Sequence, residues 1–129
     1  MTDFLLDTHA LLWWVNDDDR LDARAREVIA TAERVVVSDV SLWELIIKCG
    51  VGKLTLNPDA GKWFERHTAA SRFGELAISR AHLRGVQTLP MHHRDPFDRI
   101  LIAQAINEDI VLVSADSVFL LYPVQRIWG

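Results

Sequence analysis

Cysteine is almost missing from this chain: Cys49 stands alone, so no internal disulfide can form. That excludes a disulfide-stapled secreted scaffold and a thiolate zinc centre. Long apolar runs are missing too. The N-terminal apolar segment is interrupted by Asp7 and His9 and has no basic start. It therefore reads neither as a signal peptide nor as one of the roughly 20-residue stretches that span a bilayer. Positive charge is in deficit, with 14 Lys plus Arg against 18 Asp plus Glu and a net charge of −4. This excludes a general polyanion binder held by counterion release; nucleic-acid recognition would rest on a local basic rim and bound cations. Phosphate-loop and serine-hydrolase signatures are absent: Gly50-Val51-Gly52-Lys53 lacks P-loop spacing and no G-x-S-x-G elbow occurs. His92 and His93 are adjacent rather than four apart, which is not a helical zinc pair. A soluble, cytoplasmic protein without membrane association is expected.

What is present is a chain of 129 residues, half of it apolar, with five tryptophans. That is enough to bury a core, and with no repeat or linker residues 1–129 read as one domain. Residues 2–6 form a short apolar run suited to a buried strand, and 9–15 read as a helix. Residues 21–33 carry apolar groups at helical spacing, 35–37 are a β-branched strand, and a helix follows Ser38-Asp39-Val40-Ser41 and breaks near Gly50 and Gly52. A helix over 59–70, a weak strand at 76–78 and a helix over 79–86 come next. Asp95-Pro96 then opens a helix ending near Asn107, followed by a strand at 110–113, a helical turn at 118–121 and a last strand at 124–127. This alternation predicts an α/β fold: a short, mostly parallel central sheet with helices on both faces.

Acids recur where strands hand over to helices. Asp7, Glu44 and Asp116 each follow a predicted strand closely, and Asp98 lies in the first turn of a long helix. Ligands of open α/β sheets bind beyond the carboxyl ends of the strands, so these four acids are placed to share one edge. Clustered carboxylates resist joint ionisation unless a cation neutralises them. Oxygen donors of this kind suit Mg²⁺ or Mn²⁺. Each acid alone also has an explanation in helix-end chemistry. Asp7 and Asp116 can be caps, Ser41-Leu42-Trp43-Glu44 matches a capping box, Asp95 suits an N-cap before Pro96, and Asp98 complements the helix dipole. His93 is read as a rim phosphate contact or a solvated loop residue, His9 as a neighbour orienting Asp7, and His67 and His82 as helix-surface residues. Trp13 and Trp14 cannot both face inward, so one is a candidate interface residue; the tryptophans read as packing or partner surface rather than base-stacking platforms.

Four segments in order carry a resemblance: Leu5-Leu6-Asp7-Thr8-His9-Ala10-Leu11-Leu12-Trp13; Val40-Ser41-Leu42-Trp43-Glu44 with Gly52-Lys53-Leu54; His92-His93-Arg94-Asp95-Pro96-Phe97-Asp98-Arg99; and Ser114-Ala115-Asp116 followed by Ile127-Trp128. With them the chain resembles the PIN-domain family, and within it the VapC-type toxins of bacterial toxin–antitoxin pairs, nearly end to end. The resemblance implies a metal-dependent endoribonuclease whose catalytic and metal-binding acids are Asp7, Glu44, Asp98 and Asp116, with one or two Mg²⁺ or Mn²⁺ ions. Asp98 rather than Asp95 matches the family acid, because the small-residue segment Ala103-Gln104-Ala105 follows it at the family's distance. Asp95 is then the cap or a group just behind the ligands. Where the family usually has threonine before its last acid, Ser114 keeps the hydroxyl without the methyl. Thr8 and Ser114 are candidates for fixing water or phosphate, and Arg94, Arg99 and His93 for the rim, Arg99 alternatively pairing with an acid. A VapB-type antitoxin, whose arginine or lysine could enter the cation site, and a homodimer are also implied. Two other readings stand beside this one: a receiver-like phospho-acceptor domain, and a catalytically silent binding protein with the same fold.

Overall fold

Five short strands pair in parallel, and the helices between them supply the crossovers that parallel pairing requires. The computed structural model describes residues 2–93 and 95–129. In chain order the elements are β1 (Asp3–Leu6), α1 (Thr8–Val15), α2 (Ala23–Thr31), β2 (Arg34–Ser38), α3 (Asp39–Gly50), α4 (Ala60–Ala70), β3 (Gly74–Leu76), α5 (Arg80–Thr88), α6 (Pro96–Glu108), β4 (Val111–Val113), a 3₁₀ turn (Ser117–Leu121) and β5 (Arg126–Ile127). The sheet order is β3-β2-β1-β4-β5. Among the described residues no helix is long and apolar enough to cross a membrane.

The strands read as continuous apolar runs because both sheet faces are covered. Successive side chains point to opposite faces. Leu6, Val35, Val37 and Val113 join a cluster with Leu11 of α1, Ile29 of α2, and Trp63 and Phe64 of α4. Leu5, Val36 and Leu112 join a second cluster with Ile100, Leu101, Ile102 and Ala105 of α6. The chain steps outward from β1 through β2 to β3, then returns to lay β4 on the other side of β1. The crevice beyond the carboxyl ends of β1 and β4 is therefore a topological switch point, where such sheets bind ligands. This order also differs from the 2-1-3-4-5 of receiver-type domains, so the receiver-like reading loses its scaffold.

Three local expectations need correction. The helix after β2 starts at Asp39 with Ser38 as its N-cap, the Ser38 hydroxyl accepting from the Val40 N–H at 3.0 Å. Ser41 is not the start of a capping box but a fully buried residue inside α3. The strand expected at 76–78 lies at Gly74–Leu76, where Gly74 pairs with Val36 and a β-carbon would come within 3.1 Å of the Val36 side chain. The last strand shortens to Arg126–Ile127, the length over which it pairs with Leu112 and Val113. Trp13 and Trp14 are both half-buried and braced by different neighbours, Trp13 by Trp128 and Trp14 by Phe73 and a hydrogen bond to Ser71. The exposed tryptophan is Trp43 on α3.

Leu101 is fully enclosed between α6 and the sheet. Leu101→Ala should lower the unfolding free energy by about 2–5 kcal/mol, read from the urea midpoint at unchanged slope; a loss below about 1 kcal/mol would show that α6 does not anchor this face.

Candidate active site

The four acids arrive at the switch point from four different elements. Asp7 ends β1 and is the N-cap of α1, its Oδ1 accepting from the Ala10 N–H at 2.8 Å. Glu44 projects from the second turn of α3. Asp98 lies in the first turn of α6, behind Asp95 and Pro96. Asp116 follows β4 and caps the 3₁₀ turn, accepting from the Val118 N–H at 2.9 Å. All four line one open cavity of about 310 Å³, together with Thr8, His9, Lys48, Lys53, Asp95 and Phe97. Capping and convergence are thus properties of the same residues, because a strand-to-helix junction supplies both.

Short polar links fix the acids. The Thr8 hydroxyl donates to Glu44 Oε1 at 2.7 Å and lies 3.0 Å from the buried Ser41 hydroxyl. Lys48, one turn on, sits 2.8 Å from Glu44 Oε2. Ser114, fully buried, accepts from the Asp116 N–H at 3.0 Å and hydrogen-bonds the Asp7 carboxylate, so one hydroxyl ties two of the acids together. Asp95 accepts from the backbone N–H groups of Phe97 and Asp98 at 2.8 and 3.2 Å, which is the N-cap role expected of it, and it also faces the cavity.

His93 is not a solvated loop residue. Its Nε2 lies 2.9 Å from Asp98 Oδ2 and 3.1 Å from Asp116 Oδ2, with 16% of the side chain exposed. Its Nδ1 receives the Asp95 N–H at 3.3 Å, which assigns the ring proton to Nε2, between the two carboxylates. One donor atom from each of His93, Asp98 and Asp116 lies within 4.8 Å of the others. The loop that carries His93 is held from two sides. Tyr122 Oη accepts from the His93 N–H at 2.8 Å and donates to the Pro90 carbonyl at 2.7 Å. Arg99 donates to the carbonyls of Val86, Leu89, Pro90 and His93. Arg99 is therefore a backbone clamp, rather than the rim contact or acid partner expected of it. Arg94 lies outside the described residues.

Charge accumulates faster than it is compensated. Burial pushes the Asp7 carboxyl up, with Glu44 adding to the effect and Ser114, the Ala10 N–H and His9 opposing it. Asp98 is pushed up to about 7, first by burial and then by Asp95, with Asp7 and Glu44 adding to the rise and His93 opposing it. Carboxylates so placed gain from a cation among them, and their oxygens are the donors that Mg²⁺ and Mn²⁺ prefer. Lys48 and Lys53 line the cavity yet were not among the expected site residues. Lys48 was legible only as the i+4 partner of Glu44, and Lys53 only as part of a quoted segment. The bridging position of His93 depends on loop geometry that no periodicity reports. Elsewhere, His82 was expected on a helix surface, yet it is 2% exposed. It accepts the Ser79 N–H at Nδ1 and faces Glu108 at 3.2 Å, so it serves as packing between α5 and α6.

The upward shifts fix the sign of a pH effect. Between the ordinary carboxyl range and about 7 the folded chain keeps a proton on Asp98 that the unfolded chain has released, so stability falls as pH rises through that window, and the upward shift of Asp7 acts in the same direction. Asp18, Asp22 and Glu108 are shifted downward and act only at more acidic pH. In EDTA the melting temperature should fall from about pH 5 to about pH 7.5, and Asp98→Asn should remove most of that fall. An unchanged slope in the variant, read by thermal melts, would contradict the placement of Asp98.

Known proteins share this fold. The PIN-domain family model matches residues 4–124. A curated relative, Ribonuclease VapC22 of Mycobacterium tuberculosis (strain ATCC 25618 / H37Rv), is 28% identical over 117 residues, covering 90% of this chain and 88% of that protein. Among solved structures, VapBC2 from Rickettsia felis bound to a promoter DNA fragment superposes with a TM-score of 0.74 at 17% identity, covering 99% of this chain and 100% of that one. DNA-bound VapBC from Salmonella typhimurium gives 0.67 at 22% identity, with 98% of each chain covered. The family model runs from Phe4 within β1 through all six helices and β4, so it takes in every acid of the cavity: the chain belongs to the PIN-domain family.

Proposed function

We propose that this chain is a Mg²⁺- or Mn²⁺-dependent endoribonuclease and the toxin of a VapBC-type toxin–antitoxin pair, acting in the cytoplasm with residues 1–129 as one nuclease domain. The observation that carries the reading is the convergence of Asp7, Glu44, Asp98 and Asp116 in one cavity at the switch point of the sheet. The name of the curated relative and the VapBC complexes among the structural neighbours support the substrate and the partner. A homodimer is part of the same proposal.

Asp7, Asp98 and Asp116 are the residues to hold the ion, their carboxylates facing the cavity. Both oxygens of Glu44 are already engaged, by Thr8 and Lys48, so Glu44 would add its negative charge to the site rather than lend the ion a free oxygen. When bound, the divalent cation supplies polarisation of the scissile phosphate and acidification of a water molecule for in-line attack. The Asp7 carboxylate, oriented by Ala10 and Ser114, is placed to accept the proton of that water. Lys48 and Lys53, on the same cavity wall, offset the charge of the entering phosphate backbone. His93 Nε2–H, 2.9 Å from Asp98 and 3.1 Å from Asp116, would steady these two carboxylates and offer a donor to a phosphate oxygen at the rim. An arginine or lysine of the proposed antitoxin would suit the same acidic opening, and inhibition would act there.

The catalytically silent alternative is separated by a direct test. Asp7→Asn and Asp98→Asn should each abolish Mg²⁺-dependent RNA cleavage and growth arrest on induction, and EDTA should silence the unmodified protein. Full activity in both variants would sink the proposal.

A further inference from the structure

A second open groove, of about 350 Å³, adjoins the acid cavity and shares His9, Lys48 and Lys53 with it. Its far wall holds Trp13, Asn16 and Arg20. His9 and Trp13, four apart on α1, stack with ring centroids 5.5 Å apart and planes 19° from parallel. Trp128 braces Trp13 at 5.8 Å, and the Arg20 guanidinium lies 5.3 Å from the Trp13 ring, held by Asp18 at 2.7 Å. The exposed member of this stack is His9, the residue that joins the two cavities.

We infer that this groove is a nucleobase subsite: it takes one base of the RNA strand, stacked against the His9–Trp13 pair, while a neighbouring phosphate meets Lys53. The inference rests on the endoribonuclease reading and assigns it a place for the substrate. Three features select this occupant. The groove opens directly into the acid cavity, so a nucleotide in it is adjacent to the phosphate that reacts. Its walls pair a flat, braced aromatic stack with cations at the rim, the combination that binds single-stranded nucleic acid without reading its sequence. Those cations also matter because the chain as a whole carries a net charge of −4, and a polyanion approaching four carboxylates needs a local positive path. Lys48 is engaged with Glu44 and Arg20 with Asp18, which leaves the exposed Lys53 as the principal phosphate contact. Trp13, expected as packing or partner surface rather than as a base-stacking platform, is half-buried and backs His9, which is the residue that would meet the base.

The test uses an oligoribonucleotide that the unmodified protein cleaves in Mn²⁺, with each base near the cut replaced in turn by an abasic ribose. At one position within about two nucleotides of the cut the abasic substitution should raise KM about tenfold. His9→Ala should raise KM for the intact RNA by a similar factor and abolish sensitivity at that position, His9→Tyr should restore both, and Lys53→Gln should raise KM while steepening no base preference. His9 is exposed, so these variants should keep the native circular dichroism. Cleavage with KM unmoved in His9→Ala, abasic and His9→Ala losses that simply add, or a loss confined to antitoxin binding would each overturn the subsite alone. An unmodified protein that binds Mn²⁺ yet cleaves no RNA would overturn the nuclease reading and the subsite with it.

Discussion

Repulsion between carboxylates at the carboxyl end of β1 is the constraint that the surrounding structure answers. Asp7 and Glu44 are almost fully enclosed, and Asp98 and Asp116 are half-buried beside them. No fold gathers such groups for stability, since each loses hydration and raises the ionisation cost of the others. They are held together by groups that local structure supplies in any case. The Ala10 N–H at the start of α1 has no acceptor within its own helix and donates to Asp7, Lys48 is one turn beyond Glu44, and Ser114 is the residue that leaves β4. Helix capping thus offsets part of the cost of assembling a site whose remaining negative charge calls for a cation.

The same arrangement depends on a loop outside the regular elements. Residues 89–93 bring His93 to Asp98 and Asp116. They are tied by the Arg99 guanidinium through the carbonyls of Leu89, Pro90 and His93, with that of Val86 in α5 as a fourth, and by Tyr122 through Pro90 and His93. Arg99 stands on α6, whose opposite face is core, and Tyr122 follows the 3₁₀ turn that Asp116 caps. Core packing of α6 and placement of His93 are therefore one mechanical unit. On the other side of the cavity α1 does comparable work. Asp7 at its start faces the acids, and its outer surface carries the His9–Trp13 stack beside them.

Much of this was legible in the sequence because the relevant signals are local. The apolar runs at β1, β2 and β4, the Asp95-Pro96 start of α6 and the acids at strand-to-helix junctions each follow from short-range chemistry. The capping reading and the cavity reading of Asp7, Asp95 and Asp116 turned out not to compete: all three cap, and all three face the cavity. What was not legible depends on distant pairing. Ser41 looked like a cap because periodicity does not report that β2 runs on to Ser38. β3 lay two residues early because its register is set by the close approach of Gly74 to Val36. His82, expected on a helix surface, is 2% exposed and meets Glu108. His93, expected as a rim contact or a solvated loop residue, meets Asp116. These partners lie 26 and 23 positions away, so neither contact leaves a local signal.

The central claim, that these acids form a cation site whose charge is incompletely ionised without the cation, is tested most directly by calorimetric titration with Mn²⁺ near neutral pH in buffers of different ionisation enthalpy. With Asp98 pushed up to about 7, binding should release a fraction of a proton that grows as the pH is lowered from about 7 to about 6, and Asp98→Asn should lose both the release and most of the affinity. Absence of Mn²⁺ binding, or binding with no proton release at any pH in that range, would contradict the account.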